Sequence, residues 1–197
     1  MSKKLYTKEN SVYAKCIKRI LDTVCAVLIL ILFWWLYIIC AVIIVIDSGF
    51  PVVYTQKRSG KNGKPFVIYK FRTMVKNADK IGPLSTSMGD SRITKCGRVL
   101  RKTSLDEIPQ IINILKGDMS FVGFRPDVVH EGETYENVKY LLRPGVVGYA
   151  QVNGRSSLGK EEKQYWEQKY PYDVSFLTDV KIVIRAVGVV LHGEGTN

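Results

Sequence analysis

Two adjacent carboxylates, Asp106 and Glu107, stand in the part of the sequence most suggestive of chemistry, the string from Ser104 to Gln110. A structural explanation is available, because Ser104 and Glu107 are three residues apart and this spacing makes a capping box at a helix start. A start at Asp106 is the alternative, and it places Pro109 in the first turn, where proline is tolerated. On spacing alone, a helix cap is sufficient to explain the pair.

Cations surround the acid pair in the sequence and favour a chemical role for it. Arg98, Arg101 and Lys102 precede the pair, and Arg125 follows it near the end of a glycine-containing string, residues 117–126. Arginine binds phosphate oxygens through a planar fork, and adjacent carboxylates can act as nucleophile and as metal ligand. The arrangement indicates a site for a polyphosphate and a metal ion, with a solvated, salt-bridged surface as the structural alternative.

The composition restricts the kind of metal and the compartment. The four cysteines, at positions 16, 25, 40 and 96, have no paired spacing, and the chain has two histidines, His130 and His192. A zinc site of the His/Cys kind is therefore not expected, and a metal would be a hard cation on carboxylate and phosphate oxygens. The cysteines are expected to be free thiols in a reducing compartment.

Short strands and helices are predicted around the acid pair. Residues 51–71 alternate in the manner of strands on either side of the turn-forming residues 60–63, which indicates a β-hairpin. An apolar stretch covers residues 180–191. Apolar faces of this kind are typical of a core, and they also suit a membrane interface. Three further helical patterns occur, at 106–116, 127–142 and 160–169.

The net charge of +11 is concentrated on both sides of one apolar segment. Residues 1–22 hold six cations and two acids, and residues 48–76 hold seven cations and no acid, whereas the rest of the chain is almost neutral. Residues 24–46, which are 23 positions, contain no charged side chain. A helix of this length crosses a hydrocarbon core of about 30 Å. The pattern predicts a basic flank at 1–22, a membrane helix at 23–47 and a folded domain at 48–197.

The path of this helix through the membrane has two interpretations. Lys and Arg concentrate on the cytoplasmic side of membrane proteins, so two cationic flanks fit a re-entrant helix that returns to the cytoplasm. A bitopic helix with a basic outer flank is the alternative. Trp34, Trp35 and Tyr37 lie mid-run and favour the re-entrant path, because such rings prefer the interface, whereas the run lacks the Gly or Pro that a turn usually requires.

Four blocks of the sequence resemble the bacterial sugar transferase family, in the small form of the monotopic phosphoglycosyl transferases. Phe124 stands where the family's Gly-Pro-Arg-Pro motif has its first proline, and Trp34-Trp35 takes the place of a common Ser-Pro pair. The similarity extends from about residue 15 to about residue 190. The blocks are Lys18-Arg19-Ile20-Leu21-Asp22, Tyr69-Lys70-Phe71-Arg72-Thr73-Met74, residues 100–110 and residues 143–155.

The resemblance implies transfer of a phospho-sugar from a UDP-sugar to a polyprenol (undecaprenyl) phosphate, with release of UMP, through a covalent aspartyl intermediate. This reaction is the first membrane step of glycoconjugate or exopolysaccharide synthesis. The resemblance also implies Mg²⁺ as cofactor and membrane lipid as partner, on the cytoplasmic face of the bacterial inner membrane. The expected fold is α+β, with a re-entrant membrane-embedded helix, a small cytoplasmic catalytic domain, amphipathic interfacial helices and a short β-hairpin.

The resemblance also implies roles for single residues. Asp106 corresponds to the nucleophile, and Glu107 corresponds to a second catalytic residue that holds magnesium. Arg125 and Pro126 match the end of the Gly-Pro-Arg-Pro motif. The full set implied to bind the substrate's phosphate and nucleotide is Lys70, Arg72, Arg101, Arg125, Pro126, Gln151, Arg155 and Asp179.

A non-catalytic membrane anchor is the contrasting hypothesis for this chain. Basic flanks beside an apolar helix bind anionic lipid without any catalysis. An electrostatic lipid binder has no need of Asp106-Glu107 and the spaced arginines, so these residues favour an enzyme. A nucleic-acid partner is not expected, since lipid headgroups would occupy cations that border a membrane segment.

Overall fold

One long N-terminal helix precedes a domain of mixed helix and strand in the computed structural model, which describes residues 6–82, 89–130, 135–154 and 157–192. A π-helical turn at Tyr13–Ile17 leads into this helix. The helices are α1 (Lys18–Ser48), α2 (Ala78–Ile81), α3 (Lys95–Lys102), α4 (Ile111–Lys116), α5 (Tyr149–Val152), α6 (Lys160–Asp173) and α7 (Phe176–His192). The strands are β1 (Val53–Ser59), β2 (Pro65–Phe71), β3 (Ser120–Val122) and β4 (Gly145–Val147). The mixed fold class is confirmed.

The helical segment Tyr13–Ser48, which contains α1, is long and apolar enough to cross a membrane, as the composition predicted. The helix is kinked at Phe33, where φ is −121° and ψ is 17°. No proline causes this kink. The Trp35 indole N–H donates to the Leu32 carbonyl oxygen at 3.0 Å, so a side chain supplies a hydrogen bond at the break, which helices in lipid require.

The N-terminal half of α1 packs on the domain. Ala26 is fully buried in a cluster with Ile111 and Ile114 of α4. The Arg19 guanidinium donates to two carbonyl oxygens near the end of α4, including Leu115 O at 2.9 Å. The Asp22 carboxylate accepts the β3 amide of Phe121 at 3.1 Å. These contacts fix the beginning of α1 against α4 and β3.

The C-terminal half of α1 packs on the same domain. Cys40 and Ile44 are buried in a cluster with Phe71 of β2 and Leu100 of α3. The Tyr37 hydroxyl donates to the Ile108 carbonyl oxygen at 3.0 Å. Both halves of the kinked helix therefore contact one domain, while most of its other apolar side chains are exposed.

The β-hairpin is confirmed. Strands β1 and β2 pair antiparallel, with Val53 opposite Phe71 and Ser59 opposite Pro65. A 3₁₀ turn at Lys61–Gly63 joins them, and Asn62 and Gly63 both have positive φ there. Turn chemistry of this kind is readable locally, because Asn and Gly tolerate the left-handed conformation that the turn needs.

The helix predicted at 127–142 is wrong for the part of it that the structure describes. Asp127 and Val128 are extended and pair with the hairpin edge, through Ser59 N to Asp127 O at 2.9 Å and a bridge to Arg58. A short 3₁₀ helix, Val138–Leu141, is the one helical element among the described residues of this range. Pairing with β1 outweighed local helix propensity, as tertiary context commonly does.

Ser104 directly precedes the helix that contains the acid pair, as one cap prediction required, whereas a helix start at Asp106 is wrong. Ser104 is left-handed, with φ of 57°, and its side chain makes no capping hydrogen bond. The chain then forms a 3₁₀ helix at Leu105–Gln110, and the α-helix begins only at Ile111. Pro109 has no N–H to donate to the preceding turn, which explains the delayed start.

The remaining elements follow the predictions. The helix expected at 160–169 extends over α6, the apolar stretch at 180–191 lies in α7, and the four cysteines are free. The inner side of α7 packs into a core with Val122, Tyr170 and Ile182. Its outer side exposes several large apolar residues: Phe176, Leu177, Val180, Val183, Ile184 and Val187.

Candidate active site

The acid pair lies on the 3₁₀ helix between α3 and α4, directly against strand β2. Glu107 is mostly buried, with 15% of its side chain exposed. Its Oε1 accepts a hydrogen bond from the Lys70 ammonium of β2 at 2.6 Å. The same oxygen lies 3.4 Å from Nη1 of Arg125. Glu107 is therefore the carboxylate that forms ion pairs with the cations Lys70 and Arg125.

Asp106 is partly buried and differs from its neighbour. Within the described parts of the chain, its carboxylate forms no hydrogen bond and no ion pair closer than 4.0 Å. Burial and the negative charge of Glu107 raise the pKa of Asp106 to about 6, and Lys70, Arg101 and Arg125 oppose this shift. Asp106 is thus an unsatisfied carboxylate that ionises near neutral pH.

Lys70 and Arg101 face the acid pair from two different elements. Burial lowers the pKa of Lys70, and the charge of Glu107 counteracts this effect. Arg101 of α3 donates from Nε to the Thr73 hydroxyl at 2.9 Å, which orients its guanidinium. Burial also lowers the pKa of Arg101, and Asp106 is the strongest charge that opposes the shift.

Arg125 reaches the site from the segment after β3. Strand β3 pairs parallel with β4, and the segment after β3 is also tied to β4 because Gly145 N donates to Phe124 O at 2.9 Å. A Cβ at Gly145 would lie 2.0 Å from the backbone nitrogen of Gly123, so only glycine permits this close approach. Phe124 is buried and packs edge-on against Tyr140. The ring thus holds the backbone beside Arg125 in place.

Three residues of the expected substrate-binding set lie in other surroundings. Arg72 is buried and donates to Ser48 O at 2.8 Å and to Gly49 O at 2.5 Å, so it holds the end of α1. Gln151 is buried in α5 and donates to Val146 O at 3.4 Å. Asp179 is buried, accepts the Tyr13 and Tyr170 hydroxyls and pairs with Lys18. Arg155 lies outside the described residues.

A cleft of about 540 Å³ opens on the far side of Arg125 from the acid pair. It is lined by residues of 125–130 and 135–140, by Arg58 and by the beginning of α6. Pro126 is buried in its wall, and its carbonyl accepts the Arg58 guanidinium at 3.2 Å. Neither Arg58 nor this cleft was predicted from the sequence. The signal that could have indicated Arg58 was the cation excess at residues 48–76, which includes the strand that carries it.

A magnesium ion is compatible with the residues of the site only in one binding mode. Among the described residues, no group of three or more Asp, Glu, His or Cys side chains converges. Mg²⁺ is commonly held by one or two carboxylates together with substrate phosphates and water. Asp106 and Glu107 supply that number of carboxylates, although Lys70 already occupies one oxygen of Glu107.

Comparisons with known proteins identify the family of this chain. The model of the bacterial sugar transferase family matches residues 13–193. The chain is 37% identical to the uncharacterized sugar transferase EpsL of Bacillus subtilis, over 91% of this chain and 89% of that one. It is 38% identical to the UDP-glucose:undecaprenyl-phosphate glucose-1-phosphate transferase of Caulobacter vibrioides, over 86% of this chain and 68% of that one.

A longer relative is the undecaprenyl-phosphate galactose phosphotransferase of Salmonella typhimurium. It is 38% identical over 92% of this chain, and the match spans 42% of its own length. These two relatives are named for different sugars, galactose and glucose. With a family match over nearly all its residues, this chain belongs to the bacterial sugar transferase family.

Proposed function

We propose that this enzyme transfers a phospho-sugar from a UDP-sugar to undecaprenyl or another polyprenol phosphate and releases UMP. The names of the relatives in Salmonella and Caulobacter support an undecaprenyl phosphate acceptor and a sugar-phosphate donor. The observation that carries the proposal is the Asp106 carboxylate, which has no hydrogen bond among the described residues and lies among Lys70, Arg101 and Arg125. A carboxylate that is not satisfied by the protein is free to attack a phosphorus atom.

In the first proposed step, an Asp106 oxygen attacks the β-phosphorus of the donor, which carries the sugar. A bond forms between this oxygen and phosphorus, and the bond to the oxygen bridging the two phosphates breaks. UMP leaves with the electron pair of that bond. Arg125 and Arg101 offset the negative charge on the phosphate oxygens, and this positioning and electrostatic stabilisation supply most of the rate in phosphoryl transfer.

In the second proposed step, an oxygen of polyprenol phosphate attacks the same phosphorus. The bond from phosphorus to Asp106 breaks, and the aspartate is regenerated as a carboxylate. The product is a polyprenyl diphosphate sugar. Two displacements at one site explain why one nucleophile is surrounded by cations that reach it from β2, α3 and the segment after β3.

Glu107, with Asp106, would hold Mg²⁺ together with the substrate phosphates. When bound, the ion supplies charge neutralisation for the diphosphate and its leaving group. Lys70 itself pairs with Glu107 and orients it, because their atoms are 2.6 Å apart and both side chains are largely buried. The requirement for magnesium is tested by adding EDTA to an active preparation and restoring the ion.

We further propose that α1 is re-entrant, with both ends and the domain at the cytoplasmic face of the inner membrane. Both halves of α1 contact the same domain, the helix is kinked at Phe33, and both flanks are cationic. A tag at the N-terminus is expected to be inaccessible to an impermeant reagent in intact cells and accessible after lysis. Labelling of that tag from outside intact cells would exclude the re-entrant path.

The proposed activity is tested with the purified full chain, a polyprenol phosphate, Mg²⁺ and a panel of UDP-sugars. UMP release from at least one donor, dependent on the acceptor, is the expected result. A folded sample that releases no UMP from any donor would contradict the proposal and favour the non-catalytic lipid anchor.

A further inference from the structure

We propose that the cleft beside Arg125 binds the hexosyl group of the donor and selects among sugars. This inference rests on the proposed function, and it concerns a cleft that neither Asp106 nor Glu107 lines. The cleft volume of about 540 Å³ falls within the usual range for small-molecule sites, about 300–1,000 Å³.

Arg125 joins the cleft to the reacting atoms. One edge of its guanidinium lies 3.4 Å from Glu107, and its side chain, 45% exposed, also lines the cleft. Arg58 lies close enough that burial and the charge of Arg125 both lower its pKa. Its Nε is buried and has no hydrogen-bond partner. Two guanidinium groups placed side by side at one end of the cleft favour a bound phosphate at that end.

The floor of the cleft is held rigid by a buried charge network. The Lys139 ammonium lies 2.6 Å from Asp127 and 2.7 Å from Glu167. The Tyr140 hydroxyl donates to Asp127 at 2.7 Å, and the charges of Asp127 and Glu167 raise the pKa of Lys139 despite its burial. The Asn137 side chain accepts the Lys139 amide at 3.1 Å. Lys139, Asp127 and Tyr140 thus bond to one another and support the wall, whereas the buried Oε1 of Glu167 has no hydrogen-bond partner among the described residues.

The rim of the cleft is different, because its polar side chains are unengaged. His130, Glu136 and Gln164 are exposed and line the opening. Their side chains make no hydrogen bond or ion pair with any other described residue. A rigid floor with a rim of available donors and acceptors is the arrangement expected for a site that orients a polar ligand.

The position and lining favour the sugar over the uridine as the occupant. The sugar is joined to the phosphorus that Asp106 would attack, whereas the uridine is one phosphate further away. The rim offers imidazole, carboxylate and amide groups, which pair with hydroxyls. A flat base would need an open apolar face, but Tyr135 and Tyr140 already pack edge to face, with centroids 5.5 Å apart.

The test compares Gln164→Ala and Glu136→Ala with Gln168→Ala, a matched control on the same helix outside the cleft. The full chain is assayed with UDP-glucose and UDP-galactose, which differ at one hydroxyl, and with whichever other UDP-sugar the wild type uses best. For each variant, KM is measured for the donor and for polyprenol phosphate. The inhibition constant of UMP, which has no sugar, is measured in parallel.

The expected result is a donor KM raised about five- to tenfold in the cleft variants, the size expected for one lost hydrogen bond. The preference among UDP-sugars should also change, while the inhibition constant of UMP, the acceptor KM and all values for Gln168→Ala remain at wild-type levels. These outcomes together support a sugar subsite, because only the sugar-bearing ligand senses the change.

Two outcomes would overturn the inference while leaving the proposed function intact. If UMP inhibition weakens in parallel with donor KM, the cleft binds the nucleotide. If both cleft variants match Gln168→Ala in every constant, the cleft does not bind the donor. A wild-type chain that releases no UMP from any donor overturns the proposed function and, with it, the sugar subsite.

Discussion

Asp106 and Asp179 are aspartates beside cations in two regions of the molecule, yet only one of them is saturated with hydrogen bonds. Asp179 accepts the Tyr13 hydroxyl at 2.7 Å, the Lys18 ammonium at 2.5 Å and the Tyr170 hydroxyl at 2.6 Å. The Asp106 carboxylate accepts no hydrogen bond from the described residues, and its pKa is raised to about 6.

The difference between the two regions indicates different uses for the same side chain. The Asp179 cluster ties the first residue of α1 to α7 across 161 residues, and a saturated buried pair of this kind holds structure. Around Asp106 the cations lie near enough to lower its pKa but do not bond to it. A carboxylate left without partners suits a group that must bond to a substrate.

Asp106→Asn is expected to have the largest effect on activity. The amide cannot act as the nucleophile, so turnover should fall at least about 10³-fold, and no covalent phospho-sugar adduct should appear by mass spectrometry of the intact protein. Asp173→Asn, which changes a half-buried aspartate on α6 that accepts the Tyr149 hydroxyl and pairs with Lys169, is the matched control and should retain activity. Normal turnover by Asp106→Asn would remove the nucleophile assignment.

Asp179→Asn should have the opposite profile, with lost stability and retained chemistry. Removing one partner of a buried ion pair leaves the Lys18 charge uncompensated and should lower the free energy of unfolding by about 3 kcal/mol, measured by denaturation of the detergent-solubilised chain. The double variant Lys18→Met/Asp179→Leu should recover part of this loss. Activity per folded molecule should remain within about threefold of wild type. A larger loss would support the predicted role of Asp179 in substrate binding.

Asp106→Asn should stabilise the protein at pH 8 in EDTA, by about 2 kcal/mol. The pKa of Asp106 is raised from 3.8 to about 6 on folding. The folded state therefore binds this proton more tightly, and the stability it contributes is lost as pH rises through that range. A neutral amide does not incur this loss. Equal or lower stability than Asp173→Asn at pH 8 would contradict the raised pKa of Asp106.

The pH dependence of turnover gives the smallest effect. Because the nucleophile must be ionised, kcat/KM should fall below about pH 6, tenfold for each further unit. Arg125→Gln removes a cation that lowers the pKa of Asp106, so the midpoint of this acidic limb should move to higher pH. Glu107→Gln removes a like charge and should move it to lower pH. A limb that stays in place in both variants would show that another group controls it.

Features that depend on neighbouring residues could be predicted from the sequence. The apolar run, the turn at 60–63 and the helix from Lys160 are confirmed by the structure. Asp106 and Glu107 are adjacent in the sequence, so the acid pair is itself a local feature. The resemblance to the family implied the role of each residue. Where local signals competed with tertiary contacts, the prediction was wrong, as at 127–142, where Ser59 and Arg58 pair with extended backbone.

The side chains that surround the acid pair could not be predicted from the sequence alone. Lys70 in β2 and Arg72 just after the strand are two residues apart and carry the same type of charge, yet Lys70 contacts Glu107 and Arg72 holds the end of α1. The sequence alone made them equivalent, and only the packing of β2 between α1 and the 3₁₀ helix separated them.

The sequence by itself determined that one uncharged helix lies between two basic flanks and that an acid pair follows among cations, because composition and spacing are local properties. The tertiary structure decided which carboxylate is satisfied and which is not. Asp179 meets Lys18 across 161 residues, and Glu107 meets Lys70 across 37. Such contacts depend on how whole elements pack, and the physical difference between a structural aspartate and a reactive one arises from them.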